Sequence, residues 1–269
     1  MSNPACLIRH PGGFGPGYTA LTRVGEPVAD TGMDFGIWRI DAGQVIAGPS
    51  PRESAYLLMA GEVRFAWDAG EATRRRSSLF DEDPICLHVP AGAPHTLAAV
   101  SDAELAIVRA EGAGSGFAPR LFDATTMAEN EHRGRGLLDD TAYRVVRTIF
   151  DRRNRPEAVL VLGEVVNLPG RWSSYPPHHH PQPEIYHYRF SEPQGYGHAE
   201  LGDDVLKIRH GDTVKILDRN DHSQVAAPGY GMYYVWAIRH LPAEPYEAPE
   251  FTEEHRWLLR ADAPVWRKP

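Results

Sequence analysis

The chain is poor in cysteine, in helical signals, in long apolar runs and in basic charge. Only Cys6 and Cys86 occur in 269 residues, with no CxxC pair. A disulfide framework and a thiolate zinc site are therefore not indicated. No apolar run approaches the roughly 20 residues that span a bilayer. The first seventeen residues, rich in Pro and Gly, lack the basic-then-apolar pattern of a signal peptide. A cytoplasmic protein with no membrane partner is the expectation. Lys and Arg number 28 against 36 Asp and Glu, a formal net charge of −8. Such a surface repels phosphate backbones and argues against a nucleic-acid partner.

Turn residues and short apolar segments are what the chain does have. The 25 glycines and 23 prolines punctuate brief runs such as Phe35–Ile40, Ala55–Met59, Glu62–Trp67, Ile85–Val89 and Glu104–Arg109. Tyr143–Phe150, Ala158–Val166, Ile185–Phe190, Thr213–Leu217 and Met232–Ile238 continue the series in the second half. Strands at this spacing predict an all-β sandwich or barrel. A composition shift across Glu111–Asp140 reads as a linker, and the charge-dense Asp151–Pro156 as a hairpin tip. Within that linker, Glu111–Gly116 lacks the strand–helix context of a phosphate-binding glycine loop. Each half has a His just after a late turn, His95 and His222, which suggests a duplicated barrel.

Histidine is in excess. There are thirteen, seven of them between His178 and His222. Residues two apart on a strand face the same side, so His178 and His180 can enter a barrel together while His179 turns out. Flanking prolines at 176, 177, 181 and 183 stiffen the segment and reduce the entropy cost of holding ligands. Glu184 follows a short turn, and His222 could add a fourth ligand from another strand. Three imidazoles and a carboxylate suit a divalent ion, Zn or Mn first, with Fe, Co or Ni also compatible. Four protein ligands leave open positions on a six-coordinate ion, which a catalytic site needs. A bare triple of histidines can be a solvated loop; the H-x-H-x3-E spacing is what points to metal. His95 reads as structural, because Ser50–Ser54 carries no His pair. His187, His198, His210 and His240 read as surface or hydrogen-bonding residues.

H-x-H-x3-E with a distant His resembles the metal signature of the cupin barrels. Several further segments occur in order. They are Arg133-Gly134, Tyr143-Arg-Val-Val-Arg147, Leu162-Gly163-Glu164, Pro169 through His178, Glu184 through Phe190, Pro193 through Gly197, Ala227 through Tyr230 and His255-Arg-Trp257. Together they resemble the bacterial 5-deoxy-glucuronate isomerases, within the two-cupin uronate ketol-isomerases. The resemblance implies two tandem cupin barrels, about 1–120 and 121–269, with metal only in the second. It also implies isomerisation of an aldose acid to its 2-ketose in inositol catabolism, and His178, His180, Glu184 and His222 as ligands. The 4-deoxy-hexosulose-uronate ketol-isomerases of pectin breakdown share the fold. Trp236 is closer to that sister group, and the loop from His180 to Glu184 is shorter than usual.

Tyr186 and Tyr188 share strand parity with Glu184, and Tyr234 shares it with Trp236, so each is a candidate either to line a substrate pocket or to fill the barrel. A uronate carboxylate needs a cation, for which Arg171, Arg189, Lys215 and Arg239 are the candidates. No residue stands out as the general base. Two other functions fit the same ligands: a non-haem iron dioxygenase, and a sugar-acid sensor without chemistry. A homo-oligomer is compatible with the sequence.

Overall fold

The computed structural model describes residues 4–112 and 116–269. Residues 113–115, half of the glycine-rich 111–116 segment, lie outside the described residues. Two β units are formed, and alternating side chains explain how they pack. The second unit is a sandwich of a seven-stranded and a five-stranded sheet. Its larger sheet runs, in spatial order, Leu7–Ile8, Thr213–Ile216, Glu184–Phe190, Met232–Arg239, Leu160–Asn167, Arg144–Phe150 and Glu131–Arg133. The smaller sheet contains Asp204–Arg209, Tyr196–Leu201, His222–Ala226, Trp172–His179 and Glu250–Phe251.

The first unit is one nine-stranded sheet folded on itself. Its spine is Glu53–Trp67, a single strand of 15 residues where the sequence suggests two. The strand bends at a register shift between Leu58 and Ala60, beside Gly61 at φ 94°. A Cβ at Gly61 would strike the Asp102 carbonyl, so glycine is required at this corner.

Three apolar clusters follow from the period-2 alternation of strands. Tyr56, Leu58, Leu105 and Ile107 fill the first unit. Tyr186, Tyr188, Met232 and Tyr234 fill the second. Their odd-numbered neighbours Leu57, Met59, Tyr233, Val235 and Ala237 meet between the units. Both faces of these strands are thus buried, which is why they read as continuous apolar runs. A buried ion cluster joins the same interface. Arg76 of the first unit donates to Glu164 of the second at 2.5 and 3.0 Å, and Arg147 donates to Glu164 at 3.1 Å.

Strand pairing crosses residue 120 in two places. Leu7–Ile8 pairs with Thr213 and Val214 in the second unit, and Arg120–Phe122 pairs with Cys86–His88 in the first.

Candidate metal centre and active site

The sequence puts the histidines where a strand is interrupted. Trp172–His179 pairs with His222–Ala226, Ser173 facing Gln224 and His178 facing His222 with the register shifted between. Ser174, in the left-handed region at φ 54°, lies within that irregular stretch. His178 and His222 are thereby brought opposite each other, with ring centroids 4.4 Å apart. The chain then leaves the strand, places His180 inside, and re-enters the larger sheet at Glu184.

His180, Glu184 and His222 are buried, with ligand atoms within 4.8 Å of one another. His180 Nε2 lies 3.1 Å from Glu184 Oε2, and His222 Nε2 3.4 Å from it. His222 Nδ1 donates to the Asn220 carbonyl at 3.0 Å, which leaves Nε2 as the lone-pair nitrogen facing Glu184. Burial pushes the Glu184 carboxyl up, but the neighbouring His180 and His222 outweigh it and hold the pKa at about 2. Burial, reinforced by the neighbouring His222, keeps His178 neutral, with a pKa well below the usual histidine value. A neutral His178 near an ionised Glu184 suits a divalent cation, which takes a nitrogen lone pair and a carboxylate oxygen. Nδ1 of His178, Nδ1 of His180 and Nε2 of His222 are buried without a hydrogen-bond partner among the described residues. Of these, His222 Nε2 faces the Glu184 carboxylate and fits a metal ligand. His179 turns away toward Asp221 (2.6 Å) and Glu250 (3.5 Å).

The cluster opens into a cavity of about 470 Å³, a size suited to one sugar acid. Tyr186, Tyr234 and Trp236 line it, as parity suggests. Tyr188 shares their orientation but is sealed beneath, donating to Gln224 at 2.8 Å. Burial raises the phenols of Tyr186 and Tyr234 above their usual pKa, which keeps them neutral hydrogen-bonding groups. Ser173 is 2.6 Å from the Tyr234 hydroxyl and fixes it. Trp236 lies opposite Gly163, where a Cβ would collide with the indole.

The four proposed cations are elsewhere. Arg189 reaches between the units, 2.7 Å from Glu104 and over the Phe14 ring. Lys215 pairs with Glu26 at 2.9 Å. Arg239 donates to the Thr31 carbonyl and Arg171 to the Asp139 carbonyl. Arg189, Lys215 and Arg239 share one cause. Each is one residue out of phase with its inward-facing neighbours (Tyr188, Ile216 and Ile238), so each points to the opposite face of the sheet.

Sequence reasoning missed two groups that line the cavity. One is a set of arginines, Arg133, Arg144, Arg152 and Arg153. The other is the segment past the last long strand, where Tyr246, Glu247, Ala248 and Pro249 wall the cavity. The Tyr246 ring is 4.9 Å from that of His180. Its backbone N–H donates to His240 Nδ1, and Glu250–Phe251 pairs with His178 and His179. Tyr246 has no parity to read, because it lies in a loop.

His95, the corresponding residue of the first unit, has both ring nitrogens engaged. Nδ1 is 2.9 Å from the Ala93 carbonyl and Nε2 is 2.9 Å from the Tyr56 hydroxyl. His187 is fully buried, not on the surface, and bonds Thr213 at 2.8 Å.

Known proteins match this arrangement along the chain. The model of the KduI/IolB family matches residues 7–258. The chain belongs to the KduI/IolB family. Among curated relatives in that group, a 5-deoxy-glucuronate isomerase of Geobacillus kaustophilus is 25% identical over 250 residues, covering 85% of this chain and 86% of its own. One of Lacticaseibacillus casei is 27% identical, covering 90% and 88%. An IolB-like protein from Salmonella typhimurium superposes with a TM-score of 0.80 at 22% identity, over 95% of this chain and 99% of its own. Oxalate decarboxylase from Lactobacillus farciminis gives a TM-score of 0.67 at 12% identity, over 94% and 90%. A cupin barrel protein from Leptotrichia buccalis gives 0.50 at 12% identity, over 89% and 91%. This KduI/IolB chain thus has the all-β, two-barrel cupin fold. No helix among its described residues is long and apolar enough to cross a membrane.

Proposed function

We propose that the protein is a metal-dependent aldose–ketose isomerase of a deoxy-uronic acid, converting 5-deoxy-glucuronate to 5-dehydro-2-deoxy-gluconate in cytoplasmic inositol catabolism. The observation that carries the reading is the His180–Glu184–His222 cluster, opening into a sugar-sized cavity, in a chain of this family. His180, Glu184 and His222, with His178 as fourth ligand, would hold a divalent ion of the Zn or Mn type. That ion supplies Lewis acidity for the negative charge that develops when a proton moves between adjacent carbons.

The chain's own residues then have separable tasks. Tyr186, Tyr234 and Trp236 wall the cavity and exclude water from the reacting carbons. The hydroxyls of Ser173, Ser174, Tyr186 and Tyr234, tied together through Gln224, form a fixed floor for sugar hydroxyls. In this reading the metal-bearing barrel comprises about 121–269 and its N-terminal partner, about 1–120, carries no metal. The partner braces the sheet that presents Glu184.

The test follows metal and chemistry together. Purified protein should contain a divalent metal and convert 5-deoxy-glucuronate in deuterated water, with deuterium entering the product at the carbon that exchanges its proton. His180→Ala should lose metal and turnover in parallel; full activity in metal-free His180→Ala would reject the site. Assaying the 4-deoxy-hexosulose uronate beside it decides between the two branches of the family.

A further inference from the structure

A uronate cannot be held in a half-apolar cavity without a cation for its carboxylate, and four guanidinium groups line this one. Three of them already have acidic partners: Arg133 with Glu131 at 2.9 Å, Arg152 with Glu247 at 3.4 Å and Arg153 with Asp151 at 2.7 Å. All three have side chains between 44% and 68% exposed. Arg144 differs in both respects. It is 8% exposed and makes no ion pair among the described residues. Its hydrogen bonds run from Nη1 alone, to the Ala142 carbonyl at 2.8 Å and the Tyr175 carbonyl at 3.4 Å. Nε and Nη2, one edge of the guanidinium fork, make no bond to the described residues.

Two further facts point to an anion. Arg144, Val146 and Thr148 alternate inward on one strand, so the Arg144 side chain faces the cavity that His180 and Glu184 line. Arg133 sits directly opposite Arg144 on the neighbouring strand. Like charges in directly opposed positions are destabilising, and a bound anion offsets them.

We propose that Arg144 receives the substrate carboxylate through its free Nε–Nη2 edge and so selects sugar acids over neutral sugars. The proposal rests on reading the cavity as a uronate isomerase site. Two N–H groups on one edge of a planar guanidinium match the two oxygens of a carboxylate. The carbonyls of Ala142 and Tyr175 hold the opposite side and fix its orientation.

The experiment compares wild type, Arg144→Gln and Arg144→Lys, each checked for metal content and melting temperature. KM for 5-deoxy-glucuronate should rise about 10- to 100-fold in Arg144→Gln. Arg144→Lys keeps a charge without the fork and should fall between. The methyl ester of the same substrate should be handled by wild type and Arg144→Gln with KM values within about twofold. An unchanged KM for the acid, or an equal loss for acid and ester, would overturn the proposal. Gluconate binding by calorimetry separates the two readings. If wild type fails to isomerise the uronate yet binds gluconate, and Arg144→Gln does not, the anion site stands and the substrate assignment falls. If wild type binds no sugar acid, both fall.

Discussion

Replacing Glu164 by Gln tests whether the two barrels are clamped by charge as well as by apolar contact. Glu164 is fully buried and accepts from Arg76 at 2.5 and 3.0 Å, Arg147 at 3.1 Å and the Tyr233 hydroxyl at 2.6 Å. Gln keeps the shape but removes the negative charge buried between the two arginines, leaving Arg147 only the half-exposed Asp83 at 3.9 Å. Besides the single amide oxygen of Gln, Arg76 would retain the Leu58 and Glu82 carbonyls, and Arg147 those of Leu79, Phe80 and Glu82. Arg76 would then be left in a dry interface without a counter-ion. Removing one partner of such a buried pair costs about 3–5 kcal/mol. For a chain of this size each kcal/mol moves Tm by about 2–4 °C, so a fall of about 6–20 °C is expected by calorimetry. Because the cluster is out of reach of water, added salt should change that fall little. Glu164 points away from the cavity that Val161 and Val165 line, so folded Glu164→Gln should keep its activity at room temperature. A drop of under about 2 °C would mean that apolar packing alone joins the barrels, and the charge argument would be wrong.

Two other outcomes follow from the packing. His88 is buried between Arg155 Nε, which donates to its Nδ1 at 3.0 Å, and Glu53, which accepts from its Nε2 at 3.0 Å. Burial holds its pKa below 6.5 despite Glu53. The unfolded chain therefore takes up this proton first, so the stability is whole above about pH 6.5 and declines below it, by at most about 1.4 kcal/mol per pH unit. Denaturant midpoints for wild type and His88→Gln should show the shallower acid slope in the variant; parallel slopes would reject it. Gly163→Ala should push the Trp236 indole off the sheet, costing about 1–3 kcal/mol and shifting tryptophan emission. An unchanged spectrum with wild-type stability would mean the strand yields instead.

Much of the site was legible because metal ligation constrains residue type and spacing at once. His178, His180 and Glu184 lie within seven residues, and His222 follows a turn as the pattern suggests. The structure gathers His180, Glu184 and His222, with His178 against His222. The fold was legible from turn spacing, although Glu53–Trp67 concealed a bend inside one strand and Gly70–Arg76 and Tyr196–Leu201 went unread. Those two are largely polar, so they carry little apolar signal. The walls contributed by Tyr246 through Pro249 were not legible, since a loop has no period.

The cation at the cavity was legible too, from strand parity. Alternation fixes the inward face of each strand from a single known member. Glu184 inward makes Tyr186 inward, and it makes Arg189 outward. Tyr234 inward makes Arg239 outward in the same way. The seven residues Arg144–Phe150 pair with Leu160–Asn167, placing Arg144 opposite Asn167 and Val146 opposite Val165. Val146 belongs to the interior cluster with Tyr186 and Tyr234, while Arg147 faces Glu164 between the barrels. Parity from Val146 alone turns Arg144 inward. An arginine on the inner face of a small barrel is costly unless something anionic meets it. It is the position in this strand most in need of a ligand.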